Sequence, residues 1–197
     1  MSTRFITALT GGIGSGKSFV ASLLRKRGIE VYDCDSAAKQ LMRESTELQK
    51  QLSALIGKSV FDDGQLNKRA IAEFLLESEG NKQAVNNIVH PAVARDFEQS
   101  GLSWIESAIL FESRFNERIH IDCVICVTAP RRVRIRRIME RDNITADQAR
   151  QWVDRQTPQR LTAQRSDYII VNDGIENVEE QLETIMKTMT INDDEKR

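Results

Sequence analysis

The sequence predicts an α/β fold, a doubly wound parallel sheet of five strands with one helical insertion. Three observations predict it. A short apolar run ends in glycines, opens a helix and leads into a second apolar run, which makes a βαβ unit. Three more apolar runs follow later in the chain, with helical patterns between them. Between the second and third runs, from about 38 to 101, the periodicity is entirely helical. That stretch is far longer than a typical loop of about 4–6 residues. The chain has 197 residues, 40% hydrophobic and 29% charged, which suits one α/β domain of ordinary globular composition.

The first strand is Phe5 to Thr10, and the helix after it runs from Ser18 to Arg27. Val20, Leu23 and Leu24 share one face of that helix, and Gly28 stops it. Ile29 to Asp33 is the second strand. In the insertion, Leu48, Leu52, Leu55 and Ile56 share a helical face, as do Ile71, Phe74 and Leu75 after an N-cap at Asn67. Val85, Ile88 and Val89 repeat the spacing. His90-Pro91 is expected to break that helix, with Pro91 opening another. Strands resume at Trp104 to Leu110, Ile121 to Thr128 and Tyr168 to Asn172. The last helix starts at Asn177, paired with Glu180, and turns Val178, Leu182, Ile185 and Met189 inward. The polar tail from Thr190 to Arg197 is expected to fray.

The net charge of −1 gives no sign of nucleic-acid or membrane binding. The apolar run after Arg4 is too short for a signal-peptide core or a membrane span. Three cysteines in no framework of spacings fit a reducing cytoplasm. Cys123 and Cys126 form a C-x-x-C inside a strand, where positions i and i+3 face opposite ways. They are therefore expected as small core residues, not as a disulfide or metal clip.

Gly11-Gly-Ile-Gly-Ser-Gly-Lys-Ser18 matches G-x-x-x-x-G-K-[ST] in full, between a strand and a helix. The glycines let successive N–H groups curl around phosphate oxygens, and the helix start adds its positive dipole end. Lys17 is placed for the β- and γ-phosphates, and the Ser18 hydroxyl for Mg²⁺. Asp33-Cys-Asp35 ends the second strand, at the sheet edge where ligands bind. An acid there can take the proton of an acceptor hydroxyl, help hold Mg²⁺ through water, or cap the next helix, the alternative for Asp35. Glu112 ends the run Ala108 to Glu112, as a functional acid by position or a solvated loop acid.

From Pro130 to Arg165 there are ten arginines, no lysines and four acids, about +6 against about −7 elsewhere. Arginine without lysine suggests forked contacts to phosphate, although some of these residues belong to surface pairs with Glu140 and Asp142. Arg137 and Arg141, four apart, share a helical face.

These segments, with His90-Pro91, Leu110-Phe-Glu112, Arg137 to Asp142, Gln156 and Asp167 to Gly174, run in order along nearly the whole chain. In that ordered set the chain resembles the dephospho-coenzyme A kinases, whose reaction phosphorylates the ribose 3′-hydroxyl of dephospho-coenzyme A. The resemblance implies a P-loop NTPase-type core (about 1–37, 102–140 and 166–190), an acceptor-binding insertion (about 38–101) and an arginine-bearing lid (about 141–165). It implies ATP and Mg²⁺, with the nucleotide held by Gly14, Ser15, Gly16, Lys17, Ser18, Phe19 and Asn172. It makes Asp35 the base, with Lys17 and Arg141 as catalytic companions; Asp33, Glu112 and His90 are the acceptor-side candidates, the alternative for His90 being a buried structural histidine. Two positions depart from the pattern, Phe19 where Thr is usual and Cys34 where Ala is usual. The Phe19 N–H is still expected to face phosphate. A GTPase switch is disfavoured, because Asn172-Asp-Gly-Ile175 lacks the N-K-x-D guanine reader. A DNA-associated or transport ATPase needs an aliphatic strand ending in Asp or a signature motif in a larger chain, whereas here the apolar run ends in Glu112 and the chain is short. The nearest rival is another P-loop kinase acting on a nucleoside, nucleotide or small metabolite.

Overall fold

The computed structural model describes residues 4–62 and 65–194. Strands β1 (Thr7–Thr10), β2 (Val31–Asp33), β5 (Trp104–Glu106), β6 (Cys123–Thr128) and β7 (Tyr168–Val171) make a sheet in the order β2-β5-β1-β6-β7. β1 pairs in parallel with β5 and β6, with Thr7 level with Trp104 and Cys123, and β6 pairs in parallel with β7. The chain therefore switches direction across the sheet on either side of β1, and the loop after β1 opens at that crevice.

The chain divides into two compact units. The first is Met1–Val31, Ser103–Glu112 and His120–Arg197, and the second is Tyr32–Leu102 with Ser113–Ile119. In the first, α1 (Lys17–Lys26) and α9 (Val178–Asp194) cover the sheet. Leu9, Val20, Leu24, Ile125, Val127, Ile170 and Leu182 are fully buried there. Each such aliphatic side chain contributes about 1.5–3 kcal/mol by leaving water. Residues 131–164 form α6 (Arg131–Asp142), α7 (Ala146–Asp154) and α8 (Gln159–Gln164). A reciprocal capping box at Thr145 and Gln148 starts α7, and Ala149 and Val153 on its inner face pack against Ile138 of α6.

The second unit holds α2 (Cys34–Glu44), α3 (Thr46–Ile56), α4 (Lys68–Glu77) and α5 (Glu79–Ser100), with α5 packed on the other three. The expected N-cap at Asn67 is present, its side chain accepting from Ala70 N at 3.0 Å. Tyr32 joins β2 to α5: its hydroxyl donates to Asp96 at 2.6 Å, and its ring meets Phe97 edge-on with centroids 5.3 Å apart. Burial and the neighbouring Asp96 carboxylate push the Tyr32 phenol far above its ordinary value, so it acts as a fixed donor.

Four expectations are corrected. The insertion is not entirely helical, since β3 (Phe61–Asp62) pairs antiparallel with β4 (Gln65–Leu66). That hairpin is too short to show a period of two in sequence. Pro91 does not break α5, which runs through it. Proline removes the bond to the carbonyl four residues back. The apolar contacts of Val85, Val89, Val93 and Phe97, all buried, hold the helix together on both sides. The strand from Trp104 ends at Glu106, and residues 108–114 are turns, so Glu112 is an exposed turn residue. The tail expected to fray from Thr190 continues as helix to Asp194, and its last three residues lie outside the described ones.

The final helix otherwise follows expectation. Asn177 accepts from the N–H groups of Glu179 and Glu180 at 3.0 and 3.3 Å, and Val178, Leu182 and Ile185 are buried. Cys123 and Cys126 are buried free thiols that burial pushes up to about 12 and about 11. They stay protonated and serve as core, as the strand geometry requires.

Candidate active site

The loop from Gly11 to Gly16 is held from behind by side chains on α6 and at the end of β7. Arg134 Nε donates to the Ile13 carbonyl at 2.8 Å. Arg137 Nη1 donates to the carbonyls of Gly14 (3.4 Å), Ser15 (3.3 Å) and Asn172 (3.0 Å). The Asn172 amide donates to the Ser15 carbonyl at 3.0 Å, while its oxygen accepts from Arg137 Nη2 at 3.0 Å. Gln156 Oε1 accepts from Ile13 N at 2.7 Å and from Arg134 Nη2 at 3.2 Å.

These bonds aim the loop. A trans peptide turns its N–H opposite to its carbonyl. Tying back the carbonyls of Ile13 and Ser15 therefore turns the N–H groups of Gly14 and Gly16 to the other side, as a phosphate cradle requires. Gly16 has φ 97°, and a Cβ there would run into the Asn172 amide. Only glycine satisfies both the backbone angle and the close approach.

Arg134 is 5% exposed, and burial pulls its guanidinium below the ordinary value. Its bonds to the Ile13 carbonyl and to Gln156 offset the loss of water. The predicted pair of arginines, Arg137 and Arg141, is split. Arg137 supports the loop, whereas Arg141 is exposed and pairs with neighbouring Asp142 at 2.7 Å. Others in the basic segment are surface pairs, Arg131 with Asp154 and Arg136 with Glu140.

Lys17 and Ser18 open α1 at the end of the loop. The Ser18 hydroxyl donates to Glu106 Oε1 at 3.2 Å. Glu106 is 8% exposed and ends β5, the strand beside β1. A hydroxyl and a carboxylate side by side at a phosphate loop are hard oxygen donors of the kind Mg²⁺ takes, so this pair fits the ion. Among the described residues no three or more His, Cys, Asp or Glu side chains cluster as a metal site. Two buried hydroxyls in this region, Thr10 and Ser15, have no hydrogen-bond partner among the described residues. The Phe19 N–H lies in the first turn of α1, 3.0 Å from the Gly16 carbonyl. Its ring is half exposed.

In the second unit the acid pair divides its work. Asp33 is the N-cap of α2: Oδ1 accepts from the N–H groups of Asp35 and Ser36 at 3.0 Å each, and Oδ2 from the Ser36 hydroxyl at 2.8 Å. Asp35 lies in the first turn, exposed, and is not the cap. His90 lies half-buried on α5. Burial and then the Arg118 charge hold it below the ordinary histidine range, while a backbone bond with Ser113 works the other way. Glu112 lies in the first unit and lines a cavity of about 330 Å³ with Phe111, Leu161 and Arg165. There the Arg165 guanidinium sits 4.0 Å over the Phe111 ring.

Of the predicted nucleotide residues, the structure brings the loop, Lys17, Ser18 and Asn172 together, with Asn172 as a strut under the loop. Sequence reasoning missed Glu106 and the supporting role of Arg134. The signal for Glu106 is present in the sequence: Glu106-Ser107 interrupts the apolar run from Trp104 to Leu110.

No helix among the described residues is long and apolar enough to cross a membrane. A sequence profile of the dephospho-CoA kinases matches residues 5–177. The dephospho-CoA kinase of Bacteroides fragilis strain YCH46 is 37% identical over 173 residues, which are 84% of this chain and 83% of that one. That of Porphyromonas gingivalis is 40% identical over 171 residues, 83% of this chain and 84% of that one. The crystal structure of TT1252 from Thermus thermophilus superposes with a TM-score of 0.78 at 29% identity, covering 96% of this chain and 97% of that one. With this profile spanning most of its length on top of the loop geometry, the chain belongs to the dephospho-CoA kinase family.

Proposed function

We propose that this protein transfers the γ-phosphate of ATP to the ribose 3′-hydroxyl of dephospho-coenzyme A, giving coenzyme A and ADP, the last step of coenzyme A synthesis. The observation that carries the reading is the loop whose carbonyls are tied back by Arg134, Arg137 and Asn172, in a chain of this family. The N–H groups of that loop and Lys17 hold the β- and γ-phosphates. Ser18 and Glu106 would hold Mg²⁺, which would supply charge neutralisation at the phosphates. Asp35 takes the proton of the 3′-hydroxyl as its oxygen bonds to the γ-phosphorus, and the bond from that phosphorus to the bridging oxygen of ADP breaks. An exposed carboxylate not spent on capping is suited to that task. Asp33 supports Asp35 by fixing the first turn of α2.

In the same reading, His90 and Glu112 contact the acceptor. Residues 141–165 close as a lid that brings Arg141 to the phosphates. The division into a core, an insertion over 38–101 and this lid belongs to the proposal, as does a cytoplasmic setting, which three free buried thiols favour. The test is turnover of the pure protein with Mg²⁺-ATP on dephospho-coenzyme A, adenosine, nucleoside monophosphates, shikimate and gluconate. Dephospho-coenzyme A is expected as the preferred acceptor, and preference for any other overturns the assignment.

A further inference from the structure

We propose that Gln156 is a positioning residue for the nucleotide and that it works by being uncharged. Its carboxamide braces the phosphate loop and holds Arg134 in place, yet leaves the positive charge of Arg134 uncompensated behind the triphosphate. This rests on the reading that the loop binds ATP.

Packing brings the side chain to the loop. α7 ends at Asp154, and the Gln156 N–H continues its last turn by bonding the Val153 carbonyl at 3.4 Å. Val153 belongs to the apolar cluster that also holds Ile138 and Ile13, which fixes Gln156 beside Ile13. Its Oε1 accepts from Ile13 N at 2.7 Å and from Arg134 Nη2 at 3.2 Å. A Cβ on Gly12 would run into the Arg134 guanidinium and press on that oxygen, so both side chains lie directly against the loop backbone.

An amide at this place, where an acid would fit, calls for a cause. Arg134 is 5% exposed and stays charged at neutral pH. A guanidinium so buried is ordinarily matched by a carboxylate. Here its hydrogen-bond partners among the described residues are two neutral oxygens, the Ile13 carbonyl and Gln156 Oε1. Asp154, whose charge reaches Arg134 from α7, is exposed and bound by Arg131 at 2.8 Å. Glutamate has the length of glutamine, would accept both bonds, and would bond Arg134 more strongly. It would also cancel the charge. Arg134 is bonded to the back of the loop, one backbone thickness from the side to which the N–H groups of Gly14 and Gly16 turn. At that range a buried charge is poorly screened and acts on phosphate oxygens through the loop. The site gains from an acceptor that holds Arg134 without neutralising it.

The test uses the full chain with two substitutions, Gln156→Glu and Gln156→Met, each followed by thermal melts and calorimetric titration with Mg²⁺-ATP. Gln156→Met removes the acceptor and adds no charge, so it should melt below the unaltered protein. Gln156→Glu should melt at or above the unaltered protein, because the new acid pairs with Arg134. The order of ATP affinity is expected to cross the order of stability. Gln156→Glu should bind ATP about tenfold or more weakly than the unaltered protein, the scale of one opposing charge in a partly buried site. Gln156→Met should bind ATP better than Gln156→Glu despite its lower melting point. Affinity that follows stability, with Gln156→Glu binding as well as Gln156→Met or better, makes Gln156 a structural strut and overturns the proposal. A Gln156→Glu protein that melts below Gln156→Met overturns it too, since the new acid would then not be facing Arg134. Either result leaves the kinase reading standing, whereas failure of the unaltered protein to bind ATP overturns both.

Discussion

At the scale of single residues, the Ser18–Glu106 pair carries the sharpest expectation. Glu106→Gln keeps size and a hydrogen-bond acceptor for Ser18 but removes the charge beside the phosphate loop. It is expected to lower kcat/KM for Mg²⁺-ATP by about 10²–10³-fold, the scale for losing one preorganised electrostatic group. Turnover within a few-fold of normal would leave Glu106 as a structural acid only. The two aspartates should separate cleanly. Asp35→Asn cannot accept a proton, and a lost general base costs roughly 10²-fold or more in kcat. Asp33→Ala removes the cap of α2 and should lower unfolding stability by about 1 kcal/mol. If Asp35→Asn keeps its rate, the base lies elsewhere.

At the scale of elements, α6 serves two purposes. Its inward arginines, Arg134 and Arg137, anchor the loop, and its apolar residue Ile138 receives Ala149 and Val153 of α7. The same cluster includes Ile13 of the loop itself. Nucleotide bound at the loop therefore has a physical route to α7 through Ile13 and Gln156. ATP is expected to raise amide protection across residues 141–165, measured by hydrogen exchange with and without nucleotide. Equal protection in both states would mark the segment as a rigid face instead of a lid.

At the scale of the whole molecule, stability should depend on pH through His90, whose charged form is disfavoured in the fold by burial and by Arg118. The unfolded chain takes up a proton near pH 6.5, and the folded chain only at lower pH. Stability is therefore fully present above about pH 6.5 and is lost as pH falls through the depressed folded value. His90→Gln should flatten the melting-temperature profile between about pH 7 and pH 5, relative to the unaltered protein. Parallel profiles would show that His90 contributes nothing to the slope.

The elements that were legible in the sequence rest on local rules. The glycine-rich turn before Lys17, the caps at Asn67 and Asn177, and the buried β6 strand each follow from a few adjacent residues and their backbone preferences. They therefore survive folding unchanged. What escaped the sequence depends on contacts between distant positions. Pro91 stays inside a helix because side chains from α2, α3 and α4 cover α5 on both sides of it. Glu106 matters because sheet order sets β5 next to β1 and places its carboxylate beside Ser18, 88 positions away. Arg134 reads as one more surface charge until α6 folds against the loop and it meets the Ile13 carbonyl, 121 positions away. The sequence by itself determined the βαβ frame, the phosphate loop and the family, because their signals lie in contiguous motifs. The tertiary structure alone decided which acid caps and which is exposed, and which arginines brace the loop and which pair with acids at the surface. A charged side chain's role depends on burial and on the partners that folding brings within bonding distance.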